Sequence, residues 1–212
     1  MTILRTLRTL RGRLVAVAAV ATMLLTATPP AQAYTTYTPS GGPAVNLVGT
    51  GISLTDIPIG QTISCGSFTM AGGVSSPGLS RGYPTPAVNL PTLASAGCSN
   101  TWWGAVTFAL APTWRLAMTG DPSGGVWPAR LTEVKISGVV YGCAIEVTGV
   151  VNGTFSVGLQ RFTPVAGPSG LQVSAAVGGA PCVTIDVAVG DPIAVGGYWT
   201  NTALPPIALA NP

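Results

Sequence analysis

The sequence predicts an all-β fold, an antiparallel β-sandwich of about ten short strands with two disulfides, with a small closed β-barrel as the alternative. Three observations lead there. Short runs of alternating apolar and polar residues recur along the chain, turns rich in Gly and Pro separate them, and four cysteines follow what reads as an export leader. Beyond that leader no window carries a convincing amphipathic helical period.

The leader comes first. Met1 to Arg13 carries Arg5, Arg8, Arg11 and Arg13 and no acid, and it runs into the apolar stretch Leu14 to Ala27, too short to span a bilayer comfortably. Thr28-Pro29-Pro30 follows, then Ala31-Gln32-Ala33, a small-x-small cleavage motif. Residues 1–33 are therefore predicted to be a signal peptide cleaved after Ala33. The arginines are not consecutive, which favours the general secretory route over the twin-arginine route. The expected location is extracellular or associated with the cell envelope, with no transmembrane helix in the mature chain.

Cleavage changes the charge. The whole chain has a formal charge of +3, but four of its nine basic residues leave with the leader while all six acids stay, for a net of −1. A near-neutral surface without a basic cluster has no counterion-release drive towards phosphates, so nucleic acid is not an expected partner, nor is polybasic docking on a membrane. Cleavage leaves 179 of 212 residues, enough for one domain with a real core. Only 7% of the residues are charged, which leaves sheet edges weakly protected and makes self-association an expected property.

Cys65, Cys98, Cys143 and Cys182 all lie in the mature region, and an oxidising compartment would pair them. Four cysteines allow three pairings. Cys65 with Cys98 and Cys143 with Cys182 are favoured, because each closes a loop of moderate length between neighbouring β-segments. A metal site is the competing reading, but the chain has neither a CxxC pair nor a histidine. No metal or other cofactor is expected.

Along the chain, residues 34–60 read as a Pro/Gly/Thr-rich N-terminal arm with possible strands at Ala44–Val48 and Ile52–Ile59. Residues 61–202 form the disulfide-stapled β domain, and 203–212 a C-terminal tail. Within the domain, Trp102, Val106, Phe108 and Leu110 share one parity, which resumes in Trp114, Leu116 and Met118 after a break at Ala111-Pro112. Leu131 to Val140 puts Val134 and Ile136 on one face, with Glu133 and Lys135 on the other, solvated one. Cys143, Ile145, Val147 and Val151 continue the inward series, and Asn152-Gly153 reads as a type I′ hairpin turn before Phe155, Val157 and Leu159. Leu171–Val177, Val183–Val189 and Ile193–Thr200 complete the strands. Cys182 has the opposite parity to Val183 and Ile185, so a buried Cys182 must sit at a strand end or bulge.

These features resemble a group of secreted actinobacterial proteins that carry four cysteines in a Thr-, Gly- and Ser-rich all-β domain. The matching residues are Ile63-Ser64-Cys65, Ala96-Gly97-Cys98-Ser99, Trp114, Gly142-Cys143-Ala144-Ile145, Pro181-Cys182 and Gly190-Asp191, spread over roughly Gln61 to Thr200. The resemblance implies the sandwich fold and the pairing of first with second and third with fourth cysteine. It brings no activity and no site.

Without histidine, Ser-His, Cys-His and His-metal mechanisms are closed. There is no GxSxG elbow, P-loop or GxGxxG, and the six acids are scattered rather than paired. The chain therefore reads as a non-catalytic secreted or envelope protein that acts by binding or by self-assembly. Glycan binding is one form of this. Trp102 and Trp103, as strand neighbours, must face opposite ways; with Trp102 inside, Trp103 is left as a stacking surface that Trp127 and Trp199 would extend. The plainer alternative packs Asn100–Trp103 under the segment Tyr83–Pro91. An envelope-embedded β-barrel is a further reading. It requires strands of about nine to eleven residues with aromatic girdles, and strands of six to nine argue for the soluble sandwich. A secreted hydrolase would need two carboxylates in one groove.

Overall fold

The computed structural model describes residues 33–212; the leader expectation lies outside them. The strands are β1 (Thr36–Ser40), β2 (Ala44–Asp56), β3 (Gln61–Val74), β4 (Arg81–Gly82), β5 (Pro86–Asn100), β6 (Gly104–Leu110), β7 (Trp114–Met118), β8 (Val126–Val140), β9 (Cys143–Ser156), β10 (Arg161–Pro164), β11 (Pro168–Val177), β12 (Pro192–Asn201) and β13 (Ala208–Ala210). One short helix, α1 (Ala180–Thr184), precedes β12.

The fold is a closed antiparallel barrel of eight strand positions, not a sandwich. The ladder runs β9, β11, β12, β2, β3, β5, β6, β8, and β8 pairs back onto β9 over Val126–Val140. Two positions are shared end to end. β6 and β7 both bridge β5 and β8, and the break between them is the predicted one at Ala111-Pro112. β10 and β11 likewise both lie between β9 and β12.

The strands are longer than the turn residues suggested: β2 has 13 residues, β3 and β9 have 14, β5 and β8 have 15. Glycines that read as strand breaks instead lie inside strands, where neighbouring backbones approach closely and the wall curves. A Cβ on Gly72 would stand 1.9 Å from the Asn89 carbonyl oxygen. Gly149, with φ +135°, faces the Gly170 carbonyl in the same way at 2.3 Å. Asn152-Gly153 is corrected for this reason. It lies in mid-β9 opposite Arg130 and Ala129, and a Cβ on Gly153 would meet the Thr163 carbonyl oxygen at 2.4 Å.

Two further expectations are corrected. Residues 44–56 are not part of an arm: β2 is a full wall strand between β12 and β3. Val183–Val189 is not a strand. Its start belongs to α1, and the helical spacing buries Cys182 and Ile185 while leaving Val183 exposed, which explains the parity conflict. The C-terminal segment is also integrated, through β13 pairing with β1 and through buried Ile207.

Inward parity fills the barrel with apolar side chains. Trp114, Leu116, Met118, Leu131, Val134, Ile136, Val151, Phe155, Leu171 and Trp199 are all buried in one core. Phe68 sits between the indoles of Trp114 and Trp199, each ring centroid 5.7 Å from its own. The outward faces carry Asn46, Thr50, Ser64, Ser67, Thr92, Asn152, Thr154 and Gln172. The exposed Glu133 and Lys135 form ion pairs with Arg115 and Glu146.

Both disulfides form as favoured, Cys65–Cys98 and Cys143–Cys182. The first joins directly opposed residues of β3 and β5, and the second ties α1 to the start of β9.

Candidate functional site

The two ends of the barrel are built differently, and the difference locates the site. At one end, Tyr37 is fully buried, stacks on Tyr83 with ring centroids 5.2 Å apart, and packs against Trp127. The Tyr37 hydroxyl donates to the Thr85 carbonyl, and that of Tyr83 donates to Asp121 Oδ1 at 3.1 Å. Gln160 Nε2 donates to the carbonyls of Val157 and Ile207, while its Oε1 accepts from the Ile207 N–H and Asn201 Nδ2. This end is plugged.

The other end is a mouth formed by the β2–β3, β5–β6 and β8–β9 turns and by residues 178–191, which include α1. Beneath it lies a narrow apolar cavity inside the barrel, lined by Leu54, Ile63, Ile136, Val147, Val173 and Ile193 among others. Its empty space is about 560 Å³, counting the part that opens to solvent, and with the side chains as they stand it admits only a few water-sized molecules. Ile59, Gln61, Trp103 and Val187 line its upper part. Three of these, Ile59, Gln61 and Trp103, also line an open cleft outside, together with Trp102, Ile185 and Asp186.

Asn100 positions this cover. It is 4% exposed; its Oδ1 accepts from the backbone N–H groups of Trp102 (2.7 Å) and Trp103 (3.1 Å), an Asx turn that fixes the β5–β6 connection. Its Nδ2 donates to the Thr62 carbonyl and to Gln61 Oε1 across the strand pair. The two disulfides, with Val106, Val140 and Ile185, form a small core of their own beside the mouth, against which Trp103 and Val187 pack.

Besides Gln61, one carboxylate breaks the apolar lining. Asp56 ends β2 at the inward parity of Ile52 and Leu54 and is 8% exposed; its Oδ1 has no hydrogen-bond partner. Burial pushes its carboxyl up to about 6, the negative charges of Asp191 and Asp186 push in the same direction, and the Ile59 backbone N–H offsets part of the rise. Sequence reading missed Asp56 as a site residue, although an acid in register with two inward apolar residues was the available signal.

The aromatic residues expected to contact ligand are not brought together. Trp127 and Trp199 are 3% and 2% exposed and belong to the core, so they offer no stacking surface. Trp102 and Trp103 lie in a turn rather than a strand, and their roles are exchanged: Trp102 is 79% exposed while Trp103 is half-buried over the cavity. Nor do they pack under Tyr83–Pro91, because Pro86 and Asn100 stand at opposite ends of β5. Among the described residues no group of acids, cysteines or histidines is placed to hold a metal ion.

Comparison of the chain with protein-family models, with curated proteins and with solved structures finds no match.

Proposed function

We propose that the protein is an exported, non-catalytic binding protein whose barrel mouth takes up a small, largely apolar molecule, the covering side chains of Ile59, Gln61, Trp103 and Val187 moving aside to enlarge the narrow cavity as it enters. The observation that carries this reading is the cavity itself, a partly enclosed apolar space at one end of an otherwise packed barrel, with a cleft outside that shares its covering residues. Small closed barrels of this strand number are just wide enough to fill with side chains or to hold one small ligand. Here the filling is complete at the plugged end and incomplete at the mouth. Two disulfides suit folding in an oxidising compartment, which supports export. A chain without histidine, whose acids at the mouth face no described base, supports binding rather than catalysis.

The exterior argues against a membrane-embedded barrel, although the strands are long enough for one. Such a barrel is apolar outside and polar inside; this one has Thr, Ser, Asn and Gln on its wall and Trp, Phe, Leu and Val within. Glycan stacking, which needs coplanar exposed indoles, loses two of its three residues to the core.

The test is calorimetric titration of the oxidised protein with 1-octanol, beside a Val187→Phe variant that adds bulk to the cover. Saturable one-to-one binding that Val187→Phe weakens about tenfold or more is the expected result. Binding of equal strength in both proteins, or none in the wild type, overturns the reading.

A further inference from the structure

Three of the six acids of the chain, Asp56, Asp186 and Asp191, stand around the mouth. The other three have partners: Glu133 pairs with Arg115, Glu146 with Lys135, and Asp121 accepts from the Tyr83 hydroxyl. At the mouth, Asp191 Oδ2 accepts only from the Ala188 backbone N–H among its described bonds, and no basic side chain enters the electrostatic balance of Asp56. The described basic residues lie elsewhere: Arg115 and Lys135 in those two ion pairs, Arg81 on the carbonyls of Ser75, Ser76 and Pro86, Arg161 over the Tyr198 ring, and Arg130 in β8 between Ala117 of β7 and Asn152 of β9.

We propose that the mouth is a site for the cationic head of a small amphiphile, a protonated primary amine seated on Asp56 with its apolar body in the cavity below. The proposal rests on the reading of the cavity as a ligand site and adds the chemistry of the head group. Asp56 carries it: a carboxylate more than nine-tenths buried, lining the cavity, with an oxygen that no protein donor reaches. Leaving such a group unpaired is costly, and an ammonium supplies both the missing donor and the opposite charge. Asp186 and Asp191 add a negative field that apolar walls screen poorly, which favours a cation over a neutral hydroxyl and rejects a carboxylate. Trp103 and Phe108 line the same cavity and offer aromatic faces to a cation. An organic cation suits the site better than a metal ion, because the acids are not gathered closely enough to ligate one and the lining is apolar.

The groups facing Asp56 are its ladder partners, Gln61 on β3 and Ile193 on β12, the Ile59 N–H, and Asp186 and Asp191 from the segment between α1 and β12. None of them carries a positive charge.

Three probes of one length decide the matter: n-octylamine, 1-octanol and octanoate, titrated calorimetrically into wild type and Asp56→Asn at pH 7.5. Octylamine binding at least about tenfold tighter than octanol, with octanoate weakest, and a preference that disappears in Asp56→Asn while octanol still binds, is the expected result. As a check that needs no variant, wild-type affinity for octylamine falls severalfold between pH 7.5 and pH 5, where Asp56 takes up a proton, and that for octanol does not. Equal binding of amine and alcohol, or an amine preference that survives Asp56→Asn, overturns the inference and leaves the cavity reading standing. Failure of all three probes overturns both.

Discussion

The two ends of this barrel are held by different physics. At the plugged end, three aromatic rings, Tyr37, Tyr83 and Trp127, fill the lumen, and the polar atoms of Tyr37, Tyr83 and Gln160 find partners. At the mouth, the lumen is not filled, a carboxylate oxygen is left without a partner, and both disulfides stand beside the gap. Packing supplies the stability of the first end. Cross-links supply it at the second, where the contacts that would do so are missing. The disulfides stand where a cavity would otherwise loosen the wall. Tyr83 shows the contrast in its chemistry: burial and the bond to Asp121 push its hydroxyl up to about 12, so it stays a neutral donor, whereas Asp56 is buried and charged at neutral pH with its Oδ1 unpartnered.

The largest expected effect comes from deleting side-chain volume at the two ends. Phe155 is fully buried at the plugged end, and Phe155→Ala is expected to lower unfolding free energy by about 3 to 5 kcal/mol, through lost burial and a new cavity. Val187→Ala at the mouth removes atoms that already border empty space, and about 1 kcal/mol or less is expected. Chemical denaturation of both variants checks this; equal losses at the two ends would remove the distinction.

Next comes the covalent staple. The Cys143–Cys182 bridge closes a loop of 39 residues, and the double substitution Cys143→Ala/Cys182→Ala is expected to lower stability by about 3 to 4 kcal/mol. Location matters more than size. Amide hydrogen exchange should accelerate in α1 and at the β8–β9 turn, while β10 and the Gln160-tied C-terminal segment keep their protection. Uniform acceleration over the barrel would mean that the ends are not energetically distinct.

Much of the wall was legible in the sequence, and the reasons it was not all legible are particular. Alternation identified Trp114, Leu116 and Met118, Val134 and Ile136, and Cys143 through Phe155 as inward, because period-two patterning reports which face is buried. It does not report how a sheet closes. A sandwich and a barrel impose the same alternation, and only the pairing of β8 with β9 along its whole length decides between them. Glycine misleads at Gly153, which reads as a turn but, like Gly72, is a close-approach position whose need for a bare Cα depends on a neighbouring strand. The cysteine pairing was favoured in advance because loop length is a sequence property. The mouth is not legible from the tryptophans, whose exposure depends on packing; Asp56, whose inward parity is a sequence property, marks it.

The smallest effect isolates that aspartate. Its carboxyl is raised in the folded protein above the ordinary value of 3.8, up to about 6, so the folded state holds the proton more tightly than the unfolded chain. Well below the ordinary value of 3.8 the group is protonated in both states and contributes nothing, and as pH rises from there through about 6 the wild type loses stability that Asp56→Asn does not lose. Well above 6, where the group is ionised in both states, the difference is constant. With water reaching the mouth, its size is on the order of 1 to 2 kcal/mol. The quantity to measure is the difference in unfolding free energy between wild type and Asp56→Asn at pH 4 and at pH 7.5, since any pH-independent effect of the amide cancels between the two. A shift in favour of the variant at the higher pH identifies Asp56 as a group that weakens the fold while ionised. The same variant is expected to lose the preference for the amine probe. Stability gained and selectivity lost at one residue is what a binding site in the unfilled end of a barrel should show; a flat difference across the pH range would return Asp56 to the solvated rim.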